Sequence, residues 1–408
     1  MANLTSLSIQ NNTLAKIGLF IFFCTLLYLP KINAIELSLF PLIIISLFLF
    51  AKGAYKYKYI HMIKPIALIL AAIILISLFS SLVSLITIGS IELYQSLKHI
   101  KVLIYFILIF YVLQNIKLNT REIIKILLIS LWVHILTIYL MLFDLNIREM
   151  VLSYVNFTPD YPVLYRVSAF SSGYDSASLL SVFSLIIQLN YSYKYNSLNL
   201  TIFLSLIIGV TLLFTARVGL VAGIVIMLVF LLNVFKRSHA IQTQRKSSLI
   251  ILFTMSAVIY MIFSQLYTIE SFQTGVFRSF SLISVESIKS QSGVFSSFNS
   301  VISIQSILGN GSSAFGGANG VKSDMGYAQY LSGIGLFGTL LSCFYYIYSY
   351  LLVKYNFGIG YITNIYFMFV IAILTASLKG PYIFSRHTTE IMFVILSIAL
   401  INRKKSSS

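Results

Sequence analysis

Charge is what this chain has least of. Only 10% of its 408 residues are Asp, Glu, Lys or Arg, against 58% hydrophobic residues and a mean hydropathy of +0.92. That balance excludes an ordinary soluble domain and predicts an all-α polytopic membrane protein. A transmembrane β-barrel would read as short alternating segments, and the apolar runs here are long and continuous. Cysteine is scarce too. Cys24 and Cys343 both lie inside apolar runs, which argues against a disulfide framework or a thiolate metal site. No phosphate-loop lysine motif, Asp-x-Asp pair or serine nucleophile elbow occurs, and histidines 61, 99, 134, 239 and 387 have no metal-ligand spacing. Nucleotide hydrolysis and metal-dependent nucleotide-sugar transfer are therefore disfavoured. The apolar run 14–29 has no small-residue cleavage site after it, so it is expected to remain as a span rather than act as a signal peptide.

What is there is basic. The formal net charge is +17. The cations are spread over short loops between apolar runs, which points to membrane topology rather than nucleic acid. Apolar spans are expected at 14–29, 36–51, 65–89, 100–115, 125–143, 176–191, 198–213, 218–235, 249–264, 327–353, 359–378 and 390–402, about twelve helices in a single integral membrane domain, 1–408. Segments 51–64, 117–125 and 235–246, the C-terminal RKK, Lys16, Lys194 and Lys354 together hold 17 of the 28 basic residues. That side should be cytoplasmic, with both termini on it. Two segments of the opposite face, 144–175 and 265–325, are too long to be plain connectors. Within the second, Phe272, Val276, Phe277, Phe280 and Ile283 recur at helical spacing, so 268–290 is expected to form an amphipathic interfacial helix.

Several charges sit where a membrane protein keeps few. Arg217 falls between two apolar runs in LLFTARVGLVAG (212–223). It could snorkel to the interface, but the tight turn and Gly219 favour a cation turned inward to hold an anion. Arg166 precedes Ser-Gly-Tyr-Asp in a Tyr- and Pro-rich loop with Tyr161, Tyr165 and Tyr174. Two readings stand there: a surface charge with Asp175 as a helix N-cap, or an aromatic sugar-binding surface. The outer loop LKGPYIFSRHTTE (378–390) groups Lys379, Arg386, His387 and Glu390 against the positive-inside trend, as phosphate binding would require; for Lys379 plain interfacial anchoring also serves. The glycine-dense stretch from 309 ends in Lys322 and Asp324. Its free backbone N–H groups suit a phosphate or a sugar oxygen, and Asp324 suits an N-cap, a general base, or both.

Three stretches, RVSAFSSGYDSASLL (166–180), FTARVGLVAGIVI (214–226) and SILGNGSSAF with SDMGYAQYLSGIGLFGTLL (306–315 and 323–341), give the chain a resemblance to the bacterial O-antigen polymerases, within the O-antigen ligase and polymerase superfamily. The resemblance covers nearly the whole chain in architecture and only these stretches in sequence. It implies a C-type, metal-independent membrane glycosyltransferase of lipopolysaccharide biosynthesis, without cofactors, in the bacterial inner membrane. Its substrates would be undecaprenyl-diphosphate-linked oligosaccharides, joined on the periplasmic face. Membrane lipid and a chain-length regulator protein are the further partners it allows, and nucleic acid is not among them. Carried over, the resemblance implies Arg166 and Arg217, at positions of outer-face arginines in the family, as diphosphate ligands. The residues themselves add Arg278, Lys322, Arg386 and His387 as further binding candidates, and Asp324 as the catalytic residue that orients or deprotonates the acceptor hydroxyl. The sequence departs from the family in SGVFSSF (292–298), where Val294 stands in place of a loop arginine; Arg278 and Lys289 are the nearest substitutes. An O-antigen ligase and a lipid-linked oligosaccharide flippase are the rivals. Long outer segments count against the flippase, and Asp324 in place of a histidine counts against the ligase. A solute transporter would show paired broken helices in matching halves, and none is evident.

Overall fold

The structure is a computed structural model, and it describes residues 2–32, 35–51, 60–116, 118–155, 166–171, 173–196, 198–237, 307–311 and 326–402. The elements are α1 (Ala2–Tyr28), a two-stranded antiparallel hairpin of β1 (Lys31–Ile32) and β2 (Ile35–Glu36), α2 (Leu39–Ala51), α3 (Ile60–Ile88), α4 (Tyr94–Gln114), α5 (Thr120–Phe143), α6 (Leu145–Tyr154), α7 (Tyr174–Tyr195), α8 (Leu198–Phe214), α9 (Arg217–Arg237), α10 (Gly326–Phe357), α11 (Tyr361–Ala376) and α12 (Thr388–Asn402). Among the described residues, four helices are long and apolar enough to cross a membrane: Ile63–Ile86, Tyr94–Gln114, Thr120–Phe143 and Gln329–Phe357. Six shorter apolar helices accompany them. This is the architecture of a helical membrane protein.

Two boundaries differ from the sequence expectation in ways that matter. The span expected at 100–115 starts at Tyr94, which takes Lys98 into α4. The segment expected as a long loop from residue 144 opens as helix α6 instead. Asp144 caps it, its Oδ1 accepting from the N–H of Asn146 at 2.8 Å and of Ile147 at 3.3 Å. The expected span 249–264 and the interfacial helix 268–290 lie outside the described residues.

The described chain falls into two compact units. The first takes in residues 1–27, 37–122 and 292–408, and so holds α1 up to Leu27, α2–α4 and α10–α12. Helix α3 is greasy outside and carries a row of serines within. On α3, Leu68, Leu75, Phe79, Leu82 and Ile86 are exposed, while Ser77, Ser80, Ser81 and Ser84 are fully buried. Lipid is as apolar as leucine, so outward leucines cost nothing, and small hydroxyl side chains let neighbouring backbones approach. Ser80 Oγ reaches the carbonyls of Ile76 (3.0 Å) and Leu308 (2.6 Å); Ser81 Oγ reaches those of Ser77 (3.0 Å) and Glu92 (2.7 Å). Helix α12 is buried from Thr388 to Leu400 and packs on α4, with Phe106 and Phe393 in ring contact at 5.2 Å.

Helix α10 is broken. Gly335 has φ 72° and ψ 179°, outside helical geometry. The break interrupts the ladder around Ser332 and Gly333, and a neighbouring strip of backbone fills it. Asn310 N–H donates to the Ser332 carbonyl (2.7 Å) and Gly311 N–H to that of Gly333 (2.8 Å). Freed carbonyls in an apolar setting need such partners. The fit demands glycine on both sides. A Cβ on Gly335 would strike the Ile307 carbonyl oxygen, and one on Gly309 (φ 77°) would lie 2.5 Å from the Gly335 nitrogen.

The second unit covers residues 28–36 and 123–291 and contains most of α5 with α6–α9. Helix α7 is buried from Ala177 to Ser192 and packs against α8 and α9. Gly219 of α9 meets Ser178 of α7 so closely that a Cβ would overlap the serine side chain. Polar pairs tie α5 to its neighbours: Trp132 Nε1 donates to Gln188 Oε1 (3.1 Å), His134 Nε2 to the Ala177 carbonyl (3.1 Å), and Tyr139 Oη to that of Ile207 (2.6 Å).

Replacing Gly335 by alanine should lower the melting temperature of the detergent-solubilised protein. The left-handed conformation alone costs a side chain about 1–3 kcal/mol, and the Cβ must also displace residues 307–309. Wild-type melting of Gly335→Ala would show that the break does not hold the docked strip.

Candidate functional site

In the second unit, Arg166 and Arg217 come from segments that lie side by side. Val167 N–H donates to the Phe214 carbonyl at 2.8 Å, which sets the 166–171 stretch against the turn Thr215–Ala216 between α8 and α9. Arg217 is the first residue of α9. Val167 and Ala169 are buried in a core with Ile138, Met141 and Val151. Ala169 is held at φ 45°, an uncommon conformation for a residue with a Cβ. Half-buried Arg166 lies over the Tyr174 ring, its guanidinium carbon 6.0 Å from the centroid, a cation–π arrangement. Asp175 is not the N-cap of α7: Gly173 holds that position without a side-chain hydrogen bond, and Asp175 sits inside the first turn. A carboxylate there complements the helix dipole and faces no capping duty.

The sequence reading passed over Arg148. It is buried on α6, and its Nη2 donates to the Arg166 carbonyl at 2.8 Å. The sequence held one clue, an arginine in the apolar-flanked decapeptide LNIREMVLSY (145–154). Also in this unit, α7, α8 and α9 enclose a cavity of about 340 Å³ lined by Leu185, Leu206, Gly209, Leu213, Gly223 and Met227 among others. Its wall is aliphatic save for Ser205, so it suits a hydrocarbon chain and not a charged group.

In the first unit, the stretch between α11 and α12 is a buried turn. Residues 380–384 and 387 are buried and Arg386 half-buried, while Lys379 stands exposed, as interfacial anchoring requires. Loops usually run over surfaces because buried backbone needs partners. Here tyrosines and a lysine supply them. Tyr330 Oη donates to the carbonyl of Ile383 and lies 3.2 Å from that of Pro381. Lys98 Nζ donates to Tyr330 Oη (3.0 Å) and to the Ile383 carbonyl (3.3 Å), and lies 5.1 Å from the Tyr330 ring centre. Phe384 N–H donates to Tyr346 Oη at 3.1 Å, and the two rings stack at 5.6 Å. His99 meets the edge of Phe384 and bonds Ser77 Oγ through Nδ1 at 2.7 Å. Phe384 (φ 55°) and His387 (φ 69°) are left-handed. Among the described residues, the three non-glycine residues with positive φ thus fall in the 166–175 and 378–390 segments, both of which the sequence singles out.

Gly326, at the start of α10, presses against the same turn; a Cβ there would strike the Gly380 carbonyl and come within 2.6 Å of that of Ser377. Asp324, Lys322 and Arg278 lie outside the described residues, as do Tyr161, Tyr165, Lys289 and Val294. Among the described residues no cluster of three His, Cys, Asp or Glu side chains could hold a metal ion. Neither a scan against protein-family models nor a search of curated proteins gives a match for this chain.

Tyr346→Phe removes the acceptor for a buried N–H. It should destabilise the protein by about 1–3 kcal/mol, the cost of an unsatisfied buried donor, read as an earlier thermal transition in detergent. An unshifted transition would show the Phe384 amide satisfied without the phenol.

Proposed function

We propose that this chain is a metal-independent glycosyltransferase of the bacterial inner membrane, with about twelve spans and cytoplasmic termini. It joins undecaprenyl-diphosphate-linked oligosaccharide units into a surface polysaccharide of the O-antigen type on the periplasmic face. The observation that carries this reading is the hydrogen bond from Val167 to the Phe214 carbonyl, which sets two arginine-bearing segments together at one end of the second unit. Two arginines on adjoining segments suit a diphosphate, which presents several oxygens to forked donors.

The roles follow from the reaction. The acceptor sugar hydroxyl attacks the anomeric carbon of the donor glycan, and the bond from that carbon to the diphosphate oxygen breaks. Asp324 takes the hydroxyl proton, and Arg166 and Arg217 hold the negative charge that develops on the leaving diphosphate. Arg386, His387, Lys322 and Arg278 are the further binding residues of this reading. The aliphatic cavity between α7, α8 and α9 suits a stretch of the isoprenoid chain.

The test is a gel of surface lipopolysaccharide from the source strain with the gene deleted and then restored. Core bearing a single repeat unit, with the ladder lost, identifies a polymerase. Bare core moves the assignment to a ligase or flippase, and an unchanged ladder removes the pathway. Restoration with Arg217→Ala should leave the single-unit band although the protein inserts normally, a loss of at least about 100-fold in joining, as for other transition-state charge stabilisers. A full ladder from well-expressed Arg217→Ala would remove that arginine from the site.

A further inference from the structure

We propose that Lys98, a lysine within a membrane-spanning helix, is a positioning residue for the Arg386–His387 turn. This rests on the diphosphate-binding role given to that turn above. Lys98 is half-buried, and an ammonium group drawn among apolar helices is costly and is kept where it does something. Lys98 sits just over one turn into α4, and the partners recorded for it are the phenol of Tyr330 and the carbonyl of Ile383, at 3.0 and 3.3 Å. Both belong to the apparatus that holds the 380–387 backbone. Tyr330 itself reaches the carbonyls of Pro381 and Ile383, so ammonium, phenol and two carbonyls form one connected network.

The turn needs such a network. Phe384 and His387 occupy left-handed conformations that cost each about 1–3 kcal/mol, and a strained backbone persists only while its surroundings over-determine it. Three side chains from two helices do this: Lys98 of α4 with Tyr330 and Tyr346 of α10. Arg386 lies between the two strained residues and three residues beyond the carbonyl that Lys98 grips. Once the ammonium is gone, the Ile383 carbonyl keeps only the phenol, and the backbone from 383 to 387 is free to relax towards ordinary φ values. The Arg386 guanidinium then moves off its place. Lys98 thus acts through Arg386 and His387, without itself touching substrate.

The experiment measures the position of the turn separately from activity. In a full-length Cys24→Ser, Cys343→Ser background, Arg386→Cys is labelled in membrane vesicles with a charged maleimide, with Lys98 intact or replaced by Met or Arg. Lys98→Met should change the labelling rate about tenfold and Lys98→Arg should return it to near the parent value, since a guanidinium can still donate to both acceptors. Tyr330→Phe keeps the charge and removes the phenol; it should shift the rate the same way, and it carries the comparison if Lys98→Met fails to accumulate. Equal rates in Lys98→Met, or in Tyr330→Phe where that stands in, overturn the proposal. In the Arg386-containing protein, Lys98→Met should raise the KM for lipid-linked donor about tenfold with kcat within about twofold, the pattern of lost binding. A loss confined to kcat overturns the link from Lys98 to Arg386 binding. If labelling shifts as expected while even the parent protein joins no lipid-linked units, the positioning role stands and the polymerase reading falls.

Discussion

A backbone turn buried among apolar helices must find a partner for each of its polar groups within the protein. The segment 380–387 depends on that constraint, and much of the first unit is arranged around it. Tyr330, Tyr346 and Lys98 converge on a few carbonyl and amide groups, and the aromatic faces of Tyr345, Tyr346 and His99 enclose Phe384. In water the same turn would be solvated and would require none of these side chains. The tyrosines are thus the replacement solvent for a stretch of irregular backbone, and they fix it in a conformation it would not otherwise keep.

The second unit meets the same demand with different groups. The Phe214 carbonyl accepts from Val167, the Arg166 carbonyl accepts from buried Arg148, and aliphatic residues close over Val167 and Ala169. Arg166 and Arg386 sit on that irregular backbone, while Arg148 and Lys98 reach it from helices. Rigid backbone is what turns a flexible arginine into a directed one. The Arg148 fork on α6 extends to a carbonyl in a neighbouring segment, whereas the Lys98 ammonium is a compact donor between a phenol and a carbonyl.

The apolar helices were legible in the sequence because lipid imposes length and composition directly; α5, α8, α10 and α12 begin within a few residues of where the hydropathy places them. The start of α4 was not, because Lys98 lies outside the expected 100–115 span, and only tertiary partners justify a lysine there. Helix α6 was hidden by its mixed composition, although Asp144 ahead of it is a cap signal. The segments holding Arg166, Arg217 and Arg386 stood out through charge in costly places. Their neighbours did not: that Phe214 would accept from Val167, or that Phe384 would turn left-handed beneath two tyrosines, depends on contacts between residues far apart in the chain. Asp175 shows the limit of local rules, since the glycine two residues earlier took the capping position.

The serines of α3 have a consequence for motion. A hydroxyl has one proton to give, yet Ser80 Oγ lies within bonding distance of two carbonyls, Ile76 in its own helix and Leu308 in the docked strip; Ser81 is shared likewise between Ser77 and Glu92. Each serine can therefore exchange a remote acceptor for a local one by rotating about a single bond. If the 307–311 strip lifts from the broken helix, Ser80 returns to Ile76 and no hydroxyl is stranded in the apolar interior, a penalty of about 1–3 kcal/mol that an ordinary donor would incur. Ser80 thus joins α3 to the strip through a donor that has a second acceptor within its own helix.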